Sequence, residues 1–324
     1  MRKIFLLLAL IPLFAIGQTL NCSDIGLICD KAQELMNKGE YDKALDGLNK
    51  AKQLPSLQGC PGISRINGLI SRIQNRNSGS GSPSTASNLT FTVKGVRFTM
   101  VYVNSGTFTM GATSEQGSDV WDDEKPAHSV TVGDFWIGET EVTQALWQAV
   151  MGRNPSEFKG RNRPVENVSW NDCQSFVKKL NSLLSSKLPA GRKFRLPTEA
   201  EWEFAARGGN RSGHYKFSGS NDIGSVAWYL DNSGSTTHDV KTKNSNELCI
   251  YDMTGNVWEW CQDWFASSYY GNSPQTNPTG PSSGSGRVYR GSCWGSDAKY
   301  CRVSNRCGID QADTVEFLGL RLAL

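Results

Sequence analysis

The residues of this chain best suited to chemistry lie in Tyr251–Trp260, which reads YDMTGNVWEW and is followed by Cys261 and Asp263. Two carboxylates, Asp252 and Glu259, bracket a turn at Gly255, where glycine can take a positive φ and open its carbonyl. A hard cation such as Ca²⁺ takes about six to eight oxygens from carboxylates and backbone carbonyls, and this segment offers both kinds. The spacing is not that of an EF-hand loop. Trp258 and Trp260 alternate with Val257 and Glu259, so a strand would put both indoles on one side, in a core. A tight turn with buried tryptophans and no metal remains the competing reading.

Other reactive groups are sparse. The cysteines are Cys22, Cys29, Cys60, Cys173, Cys249, Cys261, Cys293, Cys301 and Cys307, with no CxxC among them, which speaks against zinc or thioredoxin chemistry. The odd count leaves at least one thiol outside any intramolecular pairing. The three histidines, His128, His214 and His238, form no HxxxH. Glu199, Glu201 and Glu203 share one helix and read as first-turn dipole partners and core hydrogen-bonders. A glycine-rich phosphate loop and a metalloprotease helix are both absent from the sequence. The formal charge of +3, without a basic run, gives no footprint for nucleic acid.

These residues must be carried by elements that the sequence also marks. Met1–Gln18 has a basic start, an apolar run at Ile4–Ile16 and small residues at Ala15 and Gly17, the pattern of a secretory signal. The run is short for a membrane span, and no other segment reaches spanning length. The expected location is therefore secreted, periplasmic or at the cell surface, where cysteines are disulfide candidates. Residues 19–76 follow a helical period, and Lys31–Pro55 resembles one tetratricopeptide hairpin, with a third amphipathic helix at Ile63–Ile73. A protein partner docking on this hairpin and a plain helical spacer are both open. Asn77–Asn88, NSGSGSPSTASN, reads as a flexible linker. Beyond it, Val96–Val103, Gly106–Met110 and His128–Ile137 read as strands. Thr143–Met151, Ser169–Leu184 and Thr198–Ala206 read as helices, the latter two with capping residues at their starts. Residues 208–286 are mostly loop.

The order of motifs after the linker carries a resemblance. GTFTMGA (106–112) precedes EKPAHSVTVGDFWIGETEVTQALW (124–147), RPVENVSWNDCQSFVKKLN (163–181) and RLPTEAEWEFAARGG (195–209). NELCIYDMTGNVWEW (246–260), RVYRGSCW (287–294) and CRVSNR…LGLRL complete the series. Residues 89–324 are thus similar to the sulfatase-modifying-factor family, which has the formylglycine-generating-enzyme fold. The resemblance implies an α+β domain related to C-type lectins, with little regular secondary structure and bound calcium. The implied calcium ligands are the Asp252 and Glu259 side chains and the Gly255 and Val257 carbonyls.

The resemblance also implies an activity, the oxidation of a sulfatase cysteine by Cu(I) held between two thiolates in a GGSY-x-C-x4-C pattern. The matching stretch here is RGSCWGSDAKYCRVSNRC. Aligned on the tryptophan, Ser296 stands where the first thiolate belongs and Cys301 where the second does. Aligned on Arg302–Arg306, neither cysteine fits. No C-x4-C occurs in the chain, and a single thiolate holds Cu(I) weakly. Two functions are therefore expected as alternatives. One is an exported binding or scaffold module, braced by calcium, whose ligand surface comprises Trp294, Ser296, Asp297, Tyr300, Arg302 and Arg306, beside Ser292 and Cys293. Trp228, Tyr229, Tyr269 and Tyr270 would line a groove for a peptide or carbohydrate, or else lie in the core. The other is a copper oxidase of the formylglycine type, using Cys301.

Overall fold

A computed structural model describes residues 22–37, 40–60, 62–77 and 87–324. The signal-like segment Met1–Gln18 and most of the linker Asn77–Asn88 lie outside the described residues. The chain divides into two compact units at Ser87/Asn88.

The first unit holds α1 (Ile25–Asn37), α2 (Tyr41–Gln53) and α3 (Ile63–Asn77). Each buries the apolar residues of a helical stripe: Ile28, Cys29 and Ala32 from α1, Ala44, Leu48 and Ala51 from α2, Ile66, Ile70 and Ile73 from α3. α2 stops at Leu54, which is extended (ψ 123°) because it precedes Pro55. α3 packs on both other helices and so covers the face that one hairpin leaves bare. Cys22 and Cys60 form a disulfide, and Arg65 of α3 pairs with Asp30 of α1. The other seven cysteines form no disulfide among the described residues, and all are buried except Cys307.

The second unit opens with β1 (Leu89–Val93), β2 (Val96–Val103), β3 (Gly106–Met110), β4 (His128–Val132) and β5 (Phe135–Gly138). The segment expected as one strand from His128 to Ile137 is two. Gly133 donates to Asn277 Oδ1 (2.8 Å) and Asp134 accepts from the Ser105 amide (2.7 Å), breaking the ladder between them. β4 therefore pairs with β3, whereas β5 joins an antiparallel sheet in the order β1-β2-β5.

Helices α4 (Gln144–Met151), α5 (Trp170–Leu184) and α6 (Glu199–Ala206) follow, then a single turn, α7 (Ile223–Val226). Thr143, Ser169 and Thr198 cap the first three by accepting the amides of Leu146, Asp172 and Glu201. The last sheet contains β6 (Trp258–Trp264), β7 (Arg287–Arg290), β8 (Arg306–Ile309) and β9 (Leu318–Leu320) in the order β8-β7-β6-β9, with β6 and β9 parallel.

β6 is central, and Trp258, Glu259, Trp260 and Cys261 are all buried. The one-sided alternation expected for this stretch is thus corrected. A strand covered on both faces has no solvent side, so Glu259 had to find a partner inside. The chain's last residues close the unit: Leu324 exchanges two backbone hydrogen bonds with Trp136, and Ala323 two with Arg195.

Candidate functional site

Two neighbouring arrangements contain the residues singled out by sequence. The first is the turn ahead of β6. Asp252 and Asn256 have positive φ (57° and 63°), as does Gly255 (80°). A Cβ on Gly255 would lie 2.3 Å from the Trp228 carbonyl oxygen, so the close approach of these backbones demands glycine. Asp252, fully buried, accepts the Lys241 amide at 2.9 Å. Glu259 receives Trp202 Nε1–H at 2.7 Å and Arg321 Nη2–H at 2.6 Å, with Arg321 Nε–H within 3.0 Å of both oxygens.

Sequence reasoning missed a third carboxylate here. Glu141, just ahead of α4, accepts from Val257 N–H (3.1 Å) and Asn256 Nδ2–H (2.9 Å). Its only signal was an acidic residue in an apolar stretch, GETEV. Burial and the nearby Asp252 and Glu259 charges push Glu141 well above the usual carboxylate range. Burial pushes Asp252 up to about 6, with Glu259 adding to the effect.

As a calcium site the donor set fits only in part. Glu141, Asp252 and Glu259 face Arg321, with Lys241 beside Asp252, and the upward push on Glu141 and Asp252 marks a shortage of positive charge that a cation would supply. Asp252 and the carbonyls of its turn are oxygen donors of the right kind. Glu259, however, is committed to Arg321. Among the described residues no three acidic, histidine or cysteine side chains converge as a metal cluster.

The second arrangement lies where β7 ends. Gly291 and Ser292 take positive φ, Ser296 N–H turns back on the Cys293 carbonyl (3.1 Å), and a short 3₁₀ turn, Ala298–Tyr300, leads to Cys301. The two arrangements share backbone: Gly255 donates to Gly291, and Trp294 to Asn256. Asp297 is exposed, and Trp294, Ser296 and Tyr300 are half-buried. Trp121, another residue that sequence reasoning missed, stands 53% exposed with its ring parallel to that of Tyr300 at 6.3 Å. Its signal was a lone tryptophan in the polar run GSDVWDDEK.

Arg302 and Arg306, expected on this surface, belong to the core at 1% exposure each. A guanidinium is buried only with its charge matched, and both are. Arg302 forks onto Glu124, with one contact at 2.7 Å, and Arg306 onto Glu199, with two at 2.7 Å. Arg290 joins Glu199 and Glu203 behind them. Ser292 and Cys293 are buried as well, and so is Tyr270, whose hydroxyl donates to Glu199. Trp228 stacks on His238 at 3.7 Å under Lys243.

Cys301 is 1% exposed, its thiol within 3.4 Å of Ser292 Oγ. Burial pushes this thiol up to about 12 and also raises Cys293. Both are therefore protonated near neutral pH. Ser296 Oγ sits at the position implied for the other copper ligand, and a hydroxyl is a poor partner for Cu(I). The residues implied for copper do not fit it. Cys293 Sγ lies 3.3 Å from Ser296 Oγ, so a thiol stands beside the missing one.

Residues 90–324 match the sulfatase-modifying factor enzyme 1-like domain family (FGE-sulfatase). The chain is 34% identical over 221 residues to the chaperone protein LppX of Paenibacillus barcinonensis, covering 54% of this chain and 75% of that one. It is 35% identical over 205 residues to the formylglycine-generating enzyme of Streptomyces coelicolor, covering 58% and 60%. With the serine/threonine-protein kinase Pkn1 of Chlamydia trachomatis it shares 29% over 235 residues, only 35% of that kinase. It thus spans less than two thirds of the latter two. Among solved structures, Treponema denticola variable protein 1 matches with 38% identity and a TM-score of 0.66, covering 74% of this chain and 99% of that one. PvdO from Pseudomonas aeruginosa matches at 26% with a TM-score of 0.59, covering 69% and 93%. The chain therefore belongs to the sulfatase-modifying factor enzyme 1-like family, and its second unit has the α+β formylglycine-generating-enzyme fold.

Proposed function

We infer that this is an exported, non-catalytic binding module, which presents a ligand surface on its second unit and docks a protein partner through its helical unit. One observation carries the reading: the positions implied for two copper-holding thiolates contain a hydroxyl, Ser296, and only one thiol, the buried Cys301. The surface that remains is Trp121, Trp294, Ser296, Asp297 and Tyr300, aromatic faces beside an exposed carboxylate, which suits a peptide or a carbohydrate. The names of relatives such as chaperone protein LppX and variable protein 1 agree with a family that is not confined to oxidases. Export is supported by the signal-like start and by the Cys22–Cys60 disulfide. No described helix is long and apolar enough to cross a membrane.

Calcium belongs to the proposal, supported by the carboxylate surplus at Glu141, Asp252 and Glu259. A cation bound by the folded state alone raises stability by about 2.7 kcal/mol at a hundredfold excess over Kd. EDTA should therefore lower the Tm of the second unit and added Ca²⁺ restore it; an unchanged Tm removes calcium from the account.

Oxidation of a sulfatase cysteine is the second reading, favoured only by the family scaffold and by Cys293 lying beside Ser296. One assay decides between the two. The purified full chain is loaded with Cu(I) and given oxygen, a thiol reductant and a CxPxR peptide, whose mass is followed. No conversion and no tight Cu(I) binding are expected. Aldehyde formation that disappears in Cys301→Ser would replace the binding reading with the oxidase.

A further inference from the structure

A cleft of about 550 Å³ opens in the second unit, lined by the β1–β2 turn, the start of α4 and the loop 154–161. Lys94, Lys159 and Arg161 bring cations to it from separate segments, and Val96 and Ala145 give it small apolar walls. Among the described residues, no acidic side chain lines it.

The cleft is built rather than incidental. Gln144 of α4 holds the loop from inside: its Nε2–H donates to the Phe158 carbonyl (2.8 Å), and its Oε1 accepts from Gly160 N–H (3.0 Å) and Asn154 Nδ2–H (2.8 Å). Glu166 takes the Glu157 and Phe158 amides, each at 3.0 Å. Ala145 N–H donates to the Arg161 carbonyl, fixing the backbone from which that side chain leaves. Lys159 ties its ammonium to the Asn154 and Ser156 carbonyls. The cationic groups of Lys94 and Arg161 pair with no carboxylate among the described residues.

Lys94 is the telling residue. Val93 pairs with Val96, so Lys94-Gly95 is a two-residue hairpin loop, with φ of 45° and 82°. Two positive φ values define a type I′ turn, whose first position favours asparagine or glycine. A lysine there strains the backbone, and strain kept at one position points to a use for its side chain.

We propose that this cleft binds a small organic anion, a carboxylate or phosphate carried on a hydroxylated, ring-sized body such as an anionic sugar. Lys94 and Arg161 take the charged group, the exposed Gln148 amide meets a hydroxyl, and Val96 and Ala145 cover the ring's C–H face. Nothing in the binding surface at Tyr300 or in the Asp252 turn is required for it.

The test is calorimetric titration of the full chain with glucuronate, glucose 6-phosphate and neutral glucose at low salt, repeated on Lys94→Asn and Arg161→Gln. Lys94→Asn gives the turn a residue it prefers, so its Tm should hold or rise while anion affinity falls about tenfold or more, the worth of one charged hydrogen bond. Binding of glucuronate alone or of glucose 6-phosphate alone, with that loss, supports the proposal and names the acid group. Equal binding of glucose, no binding of either anion, or unchanged affinity in both variants overturns it.

Discussion

Replacing Arg302 by methionine separates a surface arginine from a structural one. The guanidinium forks onto Glu124, donates to Ser304 Oγ at 3.1 Å, and its Nε–H reaches the Lys299 carbonyl at 2.8 Å. Without it, Glu124 keeps the Ser304 hydroxyl and the Trp121 amide but loses its counter-charge at 0% exposure. Breaking one side of a buried pair costs about 3–5 kcal/mol, whereas an ordinary surface substitution stays within about 0.5 kcal/mol. Tryptophan fluorescence during urea unfolding reads the right unit, because all 10 tryptophans lie between Trp121 and Trp294. The pH dependence gives a second readout. Burial alone would raise Glu124, but the Arg302 and Ser304 bonds outweigh it and hold the carboxyl below its usual range. In the native chain its contribution is present above the unfolded value and lost as pH falls through the folded one. In Arg302→Met the same carboxyl is raised instead, so its penalty is relieved by acid, and the gap between variant and parent should narrow from pH 7 to pH 4. A loss below about 1 kcal/mol with no narrowing would refute the buried-brace argument.

Three further changes probe other parts of the unit. Burial and the Glu199 charge push Asp263 well above the carboxylate range, so its stabilising protonation is complete below the unfolded value and is lost as pH rises through the folded one. Asp263→Asn, which can still accept the Glu199 amide, should gain Tm on the parent at pH 8 relative to pH 4; a pH-independent difference sinks this reading. Ser296→Cys restores a C-x4-C with Cys301 and should raise Cu(I) affinity by at least about tenfold in a chelator competition, two soft thiolates replacing one. If affinity does not move, the alignment through Trp294 is wrong. Gly255→Ala adds a Cβ 2.3 Å from a carbonyl oxygen at φ 80° and should cost at least about 2 kcal/mol, several degrees of Tm. A stable variant would show that the turn can relax.

Local rules made much of this legible. Ser169 and Thr198 announced their helices because a cap needs only its own next three residues. The Tyr251–Trp260 turn was visible for the same reason, as a glycine between two carboxylates. What failed was partnership across distance. Arg302 and Arg306 look like surface residues until Glu124 and Glu199, remote in sequence, are known to meet them. Glu141 reads as a helix-flanking acid, yet its oxygens hold the turn that precedes β6. Trp121 faces Tyr300 from a loop whose amide Glu124 holds and Arg302 grips in turn, contacts no periodicity encodes. The split of His128–Ile137 likewise depended on Asn277, contributed by a later loop.

The pairing of Leu324 with Trp136 and of Ala323 with Arg195 has a kinetic meaning. β5 is made early in synthesis and can pair with β2, but the segment that holds its other edge arrives only with residues 322–324. Contacts between such distant segments are won late, after most of the loop-closure entropy has been met, and they slow folding. During synthesis, then, the second unit stays open along the edge of β5 until its last residues have been added. That open edge is what needs shielding in the interval.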